Sequence, residues 1–207
     1  MKYIEFSHAL KSFPCFSVGE IDKQFPGFDR RRLVEWQAKG YIQKLRNRYY
    51  CFSDQQKEEH FLYYLANRLY RPSYISLESA LAWYGFIPEG VFQTISCSTL
   101  KPQRFETPLG LFGYRHLKRT LFFGYRLVPW KTVRFAIAEP EKALIDYLYL
   151  NPQIHDDQDF MALRWNIFSI NEQIDRQKLN TYGRAINSPV FSRRLALLTG
   201  LLDAQIQ

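Results

Sequence analysis

The sequence lacks the short motifs that most often mark an enzyme. It contains neither a glycine-rich P-loop for phosphates nor a Gly-x-Ser-x-Gly nucleophile motif. Its four histidines lie far apart and no Cys-x-x-Cys pair occurs, so the usual spacings of a zinc site are missing as well. We therefore expect a protein that is not an enzyme and that has no catalytic residues, no metal site and no cofactor.

Cysteine and long apolar runs are also scarce. The three cysteines, Cys15, Cys51 and Cys97, are odd in number and stand among apolar residues. Buried free thiols in a reducing compartment explain them better than a disulfide or a metal site. The chain shows no signal-peptide pattern, and no apolar stretch reaches the roughly 18 residues of a membrane span. We expect a cytoplasmic protein that does not contact a membrane.

Acidic residues are outnumbered by basic ones. The 207 residues include 28 Lys and Arg against 20 Asp and Glu, which gives a formal net charge of +8. The excess is concentrated in residues 1–52 and 101–134. Such blocks favour a polyanionic partner, bound by two surfaces or by one surface built from both. Many proteins are mildly basic, so the charge alone does not identify the partner.

The stretch from Asp29 to Phe52 has the pattern of a helix followed by a β-hairpin. Asp29 is suited to accept hydrogen bonds from the start of a helix, and Gly40 is suited to end one. Two short aromatic runs then flank the basic segment 45–48, which predicts a turn between two strands.

Two shorter helices are predicted before this stretch. One covers residues 2–13, with Ile4, Leu10 and Phe13 facing inward, and the other runs from a capping box at Ser17 to Gln24. Three short helices and a hairpin follow one another in a winged helix-turn-helix. A different small helical domain with a hairpin remains an alternative.

Three arginines, Arg30, Arg31 and Arg32, occupy the predicted first turn of the third helix. Positive charge there opposes the helix dipole, and a nearby phosphate or guanine edge would reverse that penalty. Successive helix residues point about 100° apart, so Arg31 or Arg32 is the expected base contact. A solvated cationic face is the alternative. The expected contacts from the hairpin to the DNA backbone or minor groove are Lys44, Arg46, Asn47 and Arg48.

The remaining sequence predicts a mixed domain. Helices are expected at residues 60–70, 76–84, 139–150, 159–168, 175–186 and 192–203, with five short strands between residues 92 and 137. The predicted fold class is α+β: a winged helix-turn-helix in residues 1–54, and a C-terminal domain in residues 55–207 with a small antiparallel sheet flanked by helices.

The second basic block alternates with predicted strand residues. It forms either a solvated sheet face or a second nucleic-acid surface, and both hypotheses remain open. The residues of such a surface would be Arg104, Arg115, Lys118, Arg119 and Arg126.

Acidic residues near the end of the chain could be imagined as a nuclease site. Helix starts and loops explain them more simply. The residues concerned are Glu139, Glu141, Asp156, Asp157 and Asp159.

Four segments in the middle of the chain occur in a distinctive order. They are SLESALAWYGFIPEG (76–90), TPLGLFGYRHL (107–117), FFGY (122–125) and AIAEPEKALIDYLYL (136–150). This series resembles the AbiEi-type antitoxins of abortive-infection toxin–antitoxin systems. Residues 39–52 are also similar to the wing of their N-terminal domain. The resemblance covers roughly residues 15–150.

The resemblance implies a DNA-binding transcriptional autorepressor and antitoxin of a type IV system. Its partner would be double-stranded DNA, namely inverted repeats upstream of its own operon. Its functional partner would be an AbiEii-type nucleotidyltransferase toxin, with no direct contact required. The alternatives are a protein-interaction module whose winged helix does not bind DNA, and a metal-dependent nuclease.

Overall fold

The first part of the chain combines three helices with a small sheet. The computed structural model describes residues 1–55, 57–88, 90 and 92–204 of an α+β protein. Strand β3 is the central strand of the antiparallel order β1-β3-β2. The predicted helices and hairpin of this part are confirmed. In chain order, the elements are α1 (Tyr3–Leu10), β1 (Phe16–Ser17), α2 (Val18–Gln24), α3 (Arg31–Ala38), β2 (Ile42–Arg46) and β3 (Tyr49–Phe52).

The predicted helix ends are confirmed in their chemistry. Ser17 and Glu20 form the capping box of α2, in which each side chain accepts a hydrogen bond from the other residue's backbone N–H. Asp29 accepts a hydrogen bond from the N–H of Arg31 at 3.0 Å, as expected. The helix α3 begins at Arg31, one residue later than predicted, so Arg30 is its N-cap residue and not part of its first turn. Gly40 ends this helix at a φ of +69°, which glycine adopts without strain.

Aromatic side chains form the core of residues 1–52. The Phe6 ring contacts those of Phe16 and Trp36, with 5.5 and 4.6 Å between ring centroids. The prediction that Ile4 and Phe13 face inward is wrong, since they are 67% and 40% exposed. Residues four apart share one helix face, so α1 buries Phe6 together with Leu10 and turns Ile4 away.

The rest of the chain adds seven helices and six strands within the described residues. The prediction of one helix over residues 159–168 is wrong, because α7 and α8 are separate helices and Arg164 between them has a φ of +50°. The elements are α4 (Glu59–Leu69), β4 (Ser73–Ile75), α5 (Leu77–Trp83), β5 (Gln93–Ser98), β6 (Gln103–Thr107), β7 (Gly110–His116), a 3₁₀ turn (Arg119–Leu121), β8 (Tyr125–Trp130), β9 (Val133–Ala138), α6 (Pro140–Leu150), α7 (Asp157–Ala162), α8 (Ile167–Gln173), α9 (Arg176–Arg184) and α10 (Pro189–Ala204).

These strands form one mixed sheet in the order β6-β7-β5-β4-β9-β8. The sheet is larger than expected and not wholly antiparallel. The pairs β5–β7 and β4–β9 run parallel, while β4–β5, β6–β7 and β8–β9 run antiparallel. After β5, the chain forms the β6–β7 hairpin, and β7 then lies next to β5 and runs in the same direction. The three-residue β4, too short to be recognised from its sequence, joins this half of the sheet to the β8–β9 hairpin.

Helices cover both faces of this sheet. On one face, Tyr114 donates a hydrogen bond to the Ala66 carbonyl of α4 at 2.8 Å. On the other face, Tyr74 donates to Asp146 of α6 at 2.7 Å. Among the described residues, no helix is both long and apolar enough to cross a membrane.

The hydrophobic core of the large sheet extends into residues 1–52. Cys15, Leu45 and Cys51 belong to this core, and the three cysteines are buried and free, as predicted. Burial raises the pKa of the Cys15 thiol to about 11 and that of Cys51 to about 12. These thiols are therefore protonated and unreactive at neutral pH.

An ion pair also joins the two parts of the chain. Arg68 of α4 contacts the Glu20 carboxylate at 2.6 Å, and the Arg68 side chain is 15% exposed. Burial by itself would raise the pKa of Glu20. The hydrogen bonds from Arg68 and Ser17 outweigh burial and lower this pKa below its ordinary value of 4.5.

Acid is expected to weaken this junction. A carboxyl group whose pKa is lower in the folded state stabilises the fold above its unfolded pKa, and this contribution is lost as pH falls through the folded pKa. The free energy of unfolding should therefore decrease less below pH 4.5 in Glu20→Gln than in the unmodified protein. Urea titrations at several pH values would measure this difference. Glu172→Gln, at an exposed position, is the control and should leave the pH profile unchanged. An unaltered profile for Glu20→Gln would contradict the assignment.

Candidate nucleic-acid interface

Helix α3 presents its basic start to solvent. Leu33 and Trp36 bury its inner face. On the outer side, the exposed fractions of the side chains are 62% for Arg30, 92% for Arg31 and 47% for Arg32. Val34 lies on the same outer side and is 68% exposed. An exposed helix start with cations and one apolar side chain has the chemistry required to contact base edges and phosphates.

Each of these arginines is paired with a carboxylate. Arg30 contacts Asp22 at 2.7 Å, and Arg31 contacts Asp29 at 3.0 Å. Arg32 contacts Glu35 at 2.9 Å. The unfavourable interaction of these arginines with the helix dipole is therefore offset by carboxylates of the protein itself. Ion pairs in water are weak, so a phosphate can replace these carboxylates at little cost.

The four predicted contact residues of the β2–β3 hairpin differ in their surroundings. Lys44, Asn47 and Arg48 are exposed. Arg46 instead donates a hydrogen bond to the Leu69 carbonyl at 2.5 Å, and its guanidinium lies 3.8 Å from the centroid of the Phe105 ring. Arg46 thus joins the hairpin to α4 and β6, a role that the sequence did not suggest.

Strand register decides how the second basic block is arranged. Arg104 of β6 pairs with Gly113, two residues before Arg115 on β7, so the two arginines share one sheet face. Arg126 lies on strand β8, at the other edge of the sheet, where it pairs with Ile137 of β9. Its side chain is on the opposite sheet face. Lys118 and Arg119 are exposed in the segment after β7. The structure therefore brings Arg104 and Arg115 together and separates both from Arg126.

Lys178 joins Glu139 and Glu141 in one network, and Asp156 and Asp159 belong to another at the start of α7. Glu139 accepts hydrogen bonds from Tyr182 and Lys178, and Glu141 accepts one from the N–H of Asp175 at 2.8 Å. Hydrogen bonding to Asp159 raises the pKa of His155. Asp157 is exposed on α7.

Within the described part of the chain, one group could hold a metal ion. It comprises His155, Asp156 and Asp159, whose ligand atoms lie within 4.8 Å of one another. Asp156 and Asp159 form the capping box of α7, which accounts for their positions without a metal.

A buried polar cluster on α6 was missed by the sequence interpretation. Lys142 and Asp146 are each 1% exposed and form an ion pair. Tyr74 and Ser76 donate hydrogen bonds to the other Asp146 oxygen at 2.7 and 2.8 Å. The sequence did carry a signal for this pair, namely two opposite charges four residues apart in an otherwise apolar helix. Because the cluster is closed to solvent, it can hold α6 on the sheet but cannot receive a substrate.

Comparisons with known proteins add no relative. No protein-family model matches the chain, and no curated protein is significantly similar to it.

Proposed function

We propose that this protein is a winged-helix transcriptional autorepressor and an antitoxin of the AbiEi type. It would act in a type IV abortive-infection system by binding inverted repeats upstream of its own operon. The exposed basic start of α3, seated on an aromatic core and followed by the β2–β3 hairpin, carries this proposal. The element order α1-β1-α2-α3-β2-β3 supports a winged helix in residues 1–52.

In this proposal, the start of α3 enters the major groove. Arg31, the most exposed of the three arginines, contacts a base, and Arg32 contacts a base or a phosphate. Lys44 and Arg48 of the hairpin contact the DNA backbone. Arg46 positions the hairpin through Leu69 and Phe105 rather than touching DNA.

Residues 55–207 would carry the antitoxin activity in the cytoplasm. The functional partner would be an AbiEii-type nucleotidyltransferase toxin, and a stable complex with it is not required.

A protein-interaction module is the second candidate function. The observation that favours it is the pairing of Arg30, Arg31 and Arg32 with Asp22, Asp29 and Glu35. These carboxylates reduce the positive potential of α3, as expected of a scaffold that does not bind DNA. Purification of a stoichiometric protein partner, together with no measurable affinity for DNA, would support this alternative.

DNA binding is tested with a labelled duplex from just upstream of the gene and a scrambled duplex. We expect the protein to prefer the native duplex, with an affinity that falls steeply as salt rises. Arg31→Ala/Arg32→Ala should weaken binding to the native duplex at least about tenfold, because arginine–guanine contacts are lost. Fluorescence anisotropy at two salt concentrations measures both effects.

The matched control removes the same charge elsewhere. Arg184→Ala/Arg193→Ala changes two exposed arginines of the C-terminal helices and should retain the preference for the native duplex. Equal, weak binding of both duplexes by the unmodified protein would reject the autorepressor. Selective binding that survives loss of Arg31 and Arg32 would reject only the assigned contacts.

A further inference from the structure

A groove of about 440 Å³ crosses one end of the six-stranded sheet. It lies over strands β5, β6 and β7, on the sheet face that bears both Arg104 and Arg115. Gln93 and Gln103 also line it. Among the described residues, no carboxylate lines this groove, so its walls carry the positive charges of Arg104 and Arg115 and the amide of Gln93.

Gly113 forms the floor of the groove. Glycine weakens the interior of a strand, and it often marks a place where another group approaches the backbone closely. Here a Cβ atom on residue 113 would lie 2.6 Å from the Nε2 atom of Gln93. The absence of a side chain therefore lets the Gln93 amide of β5 lie over the β7 backbone at Gly113, the residue that pairs with Arg104.

The two arginines are held differently from those of α3. Arg115 donates a hydrogen bond to the Leu150 carbonyl at the end of α6 at 3.0 Å, which orients its guanidinium and leaves other N–H donors for a ligand. The Arg104 side chain makes no hydrogen bond or ion pair with any residue that the structure describes. Glu106 shares this sheet face but is not part of the groove wall. An anion can thus bind here without displacing a carboxylate.

We propose that this groove binds the phosphate group of a small phosphomonoester, such as a nucleoside monophosphate. A monoester carries a charge of about −1.5 to −2 at pH 7, which two guanidinium groups can match. Arginine forms paired hydrogen bonds with phosphate oxygens. The groove volume falls within the roughly 300–1,000 Å³ of small-molecule sites, so the rest of the ligand has room beside the Gln93 amide.

Isothermal titration calorimetry with adenosine 5′-monophosphate tests this proposal, in a buffer free of phosphate. We expect saturable binding at one site, weaker binding of inorganic phosphate, and no binding of adenosine. Arg104→Gln and Arg115→Gln should each weaken nucleotide binding about tenfold, since each removes charge-assisted hydrogen bonds. Gly113→Ala should also weaken binding, because the new methyl group displaces the Gln93 amide.

Arg134→Gln is the matched control, because it removes one exposed arginine from β9 outside the groove. It should leave the affinity unchanged. Arg31→Ala/Arg32→Ala should also leave nucleotide binding intact, which keeps this test independent of operator binding. Absence of saturable binding at millimolar nucleotide, or equal weakening by Arg134→Gln, would overturn the proposal. The proposal would also be overturned if Arg104→Gln and Arg115→Gln left nucleotide binding unchanged and weakened only the binding of a DNA duplex without terminal phosphates. The groove would then be a nucleic-acid surface.

Discussion

Replacing Asp146 with asparagine is expected to destabilise the fold by about 3–5 kcal/mol, the usual cost of breaking a buried ion pair. Asparagine has nearly the same shape as aspartate, and its carbonyl oxygen can still accept hydrogen bonds from Tyr74 and Ser76. What changes is that the ammonium group of Lys142, 1% exposed, loses its counter-charge. A buried charge without a partner carries the full penalty of removal from water.

A second variant distinguishes charge from shape. Lys142→Met/Asp146→Asn removes both charges while retaining much of the buried volume, so it should recover most of the stability that Asp146→Asn loses. Urea unfolding curves measure the free energy of unfolding of all three proteins. If the double variant were no more stable than Asp146→Asn, the loss would come from packing or hydrogen bonding rather than from the unpaired lysine.

Replacing Arg194 with alanine is expected to reduce the free energy of unfolding by about 2–4 kcal/mol, because three backbone carbonyl groups lose a charged hydrogen-bond donor. Arg194 of α10 is 5% exposed and donates to the carbonyls of Leu148, Asn151 and Ile154. These carbonyls lie at or beyond the end of α6, where the backbone offers few donors: the Asn151 N–H lies 3.4 Å from the Leu148 carbonyl oxygen, and the Ile154 N–H lies 3.3 Å from that of Asn151. Burial lowers the pKa of the guanidinium, which nevertheless stays charged.

Two further substitutions separate the contributions of Arg194. Arg194→Met keeps most of the packing but donates no hydrogen bond, and it should be nearly as destabilising as Arg194→Ala. Arg194→Lys keeps the charge and some donors, and it should lie between Arg194→Met and the unmodified protein. Thermal unfolding would rank the variants. A fully stable Arg194→Met protein would show that these carbonyls do not depend on the arginine.

Local structure was predictable where local chemistry determines it. The capping box of Ser17 and Glu20, the left-handed Gly40 and the hairpin after it were expected from neighbouring residues, and they are present. The helices α4, α5, α6, α9 and α10 were also expected from the sequence, with bounds close to those observed. Each of these signals acts within a few residues of the chain.

Errors arose where distant residues decide the outcome. Ile4 and Phe6 are both apolar, and only the positions of Phe16 and Trp36 select Phe6 for the core. The strand β4 has three residues, too few to show alternation, and it exists because β5 and β9 supply its hydrogen bonds. The same pairing converts the expected small antiparallel sheet into a six-stranded mixed one.

The candidate site was predictable in its residue types but not in its arrangement. The sequence by itself determined the basic start of α3, the exposed hairpin cations and the free, buried cysteines, because helix ends, turns and apolar surroundings are local properties. Tertiary structure decided that Arg46 faces Phe105, that Arg104 and Arg115 line the same groove, and that Lys142 and Asp146 are buried as a pair. The physical reason is that strand register and packing set the neighbours of a side chain, and these neighbours are remote in sequence.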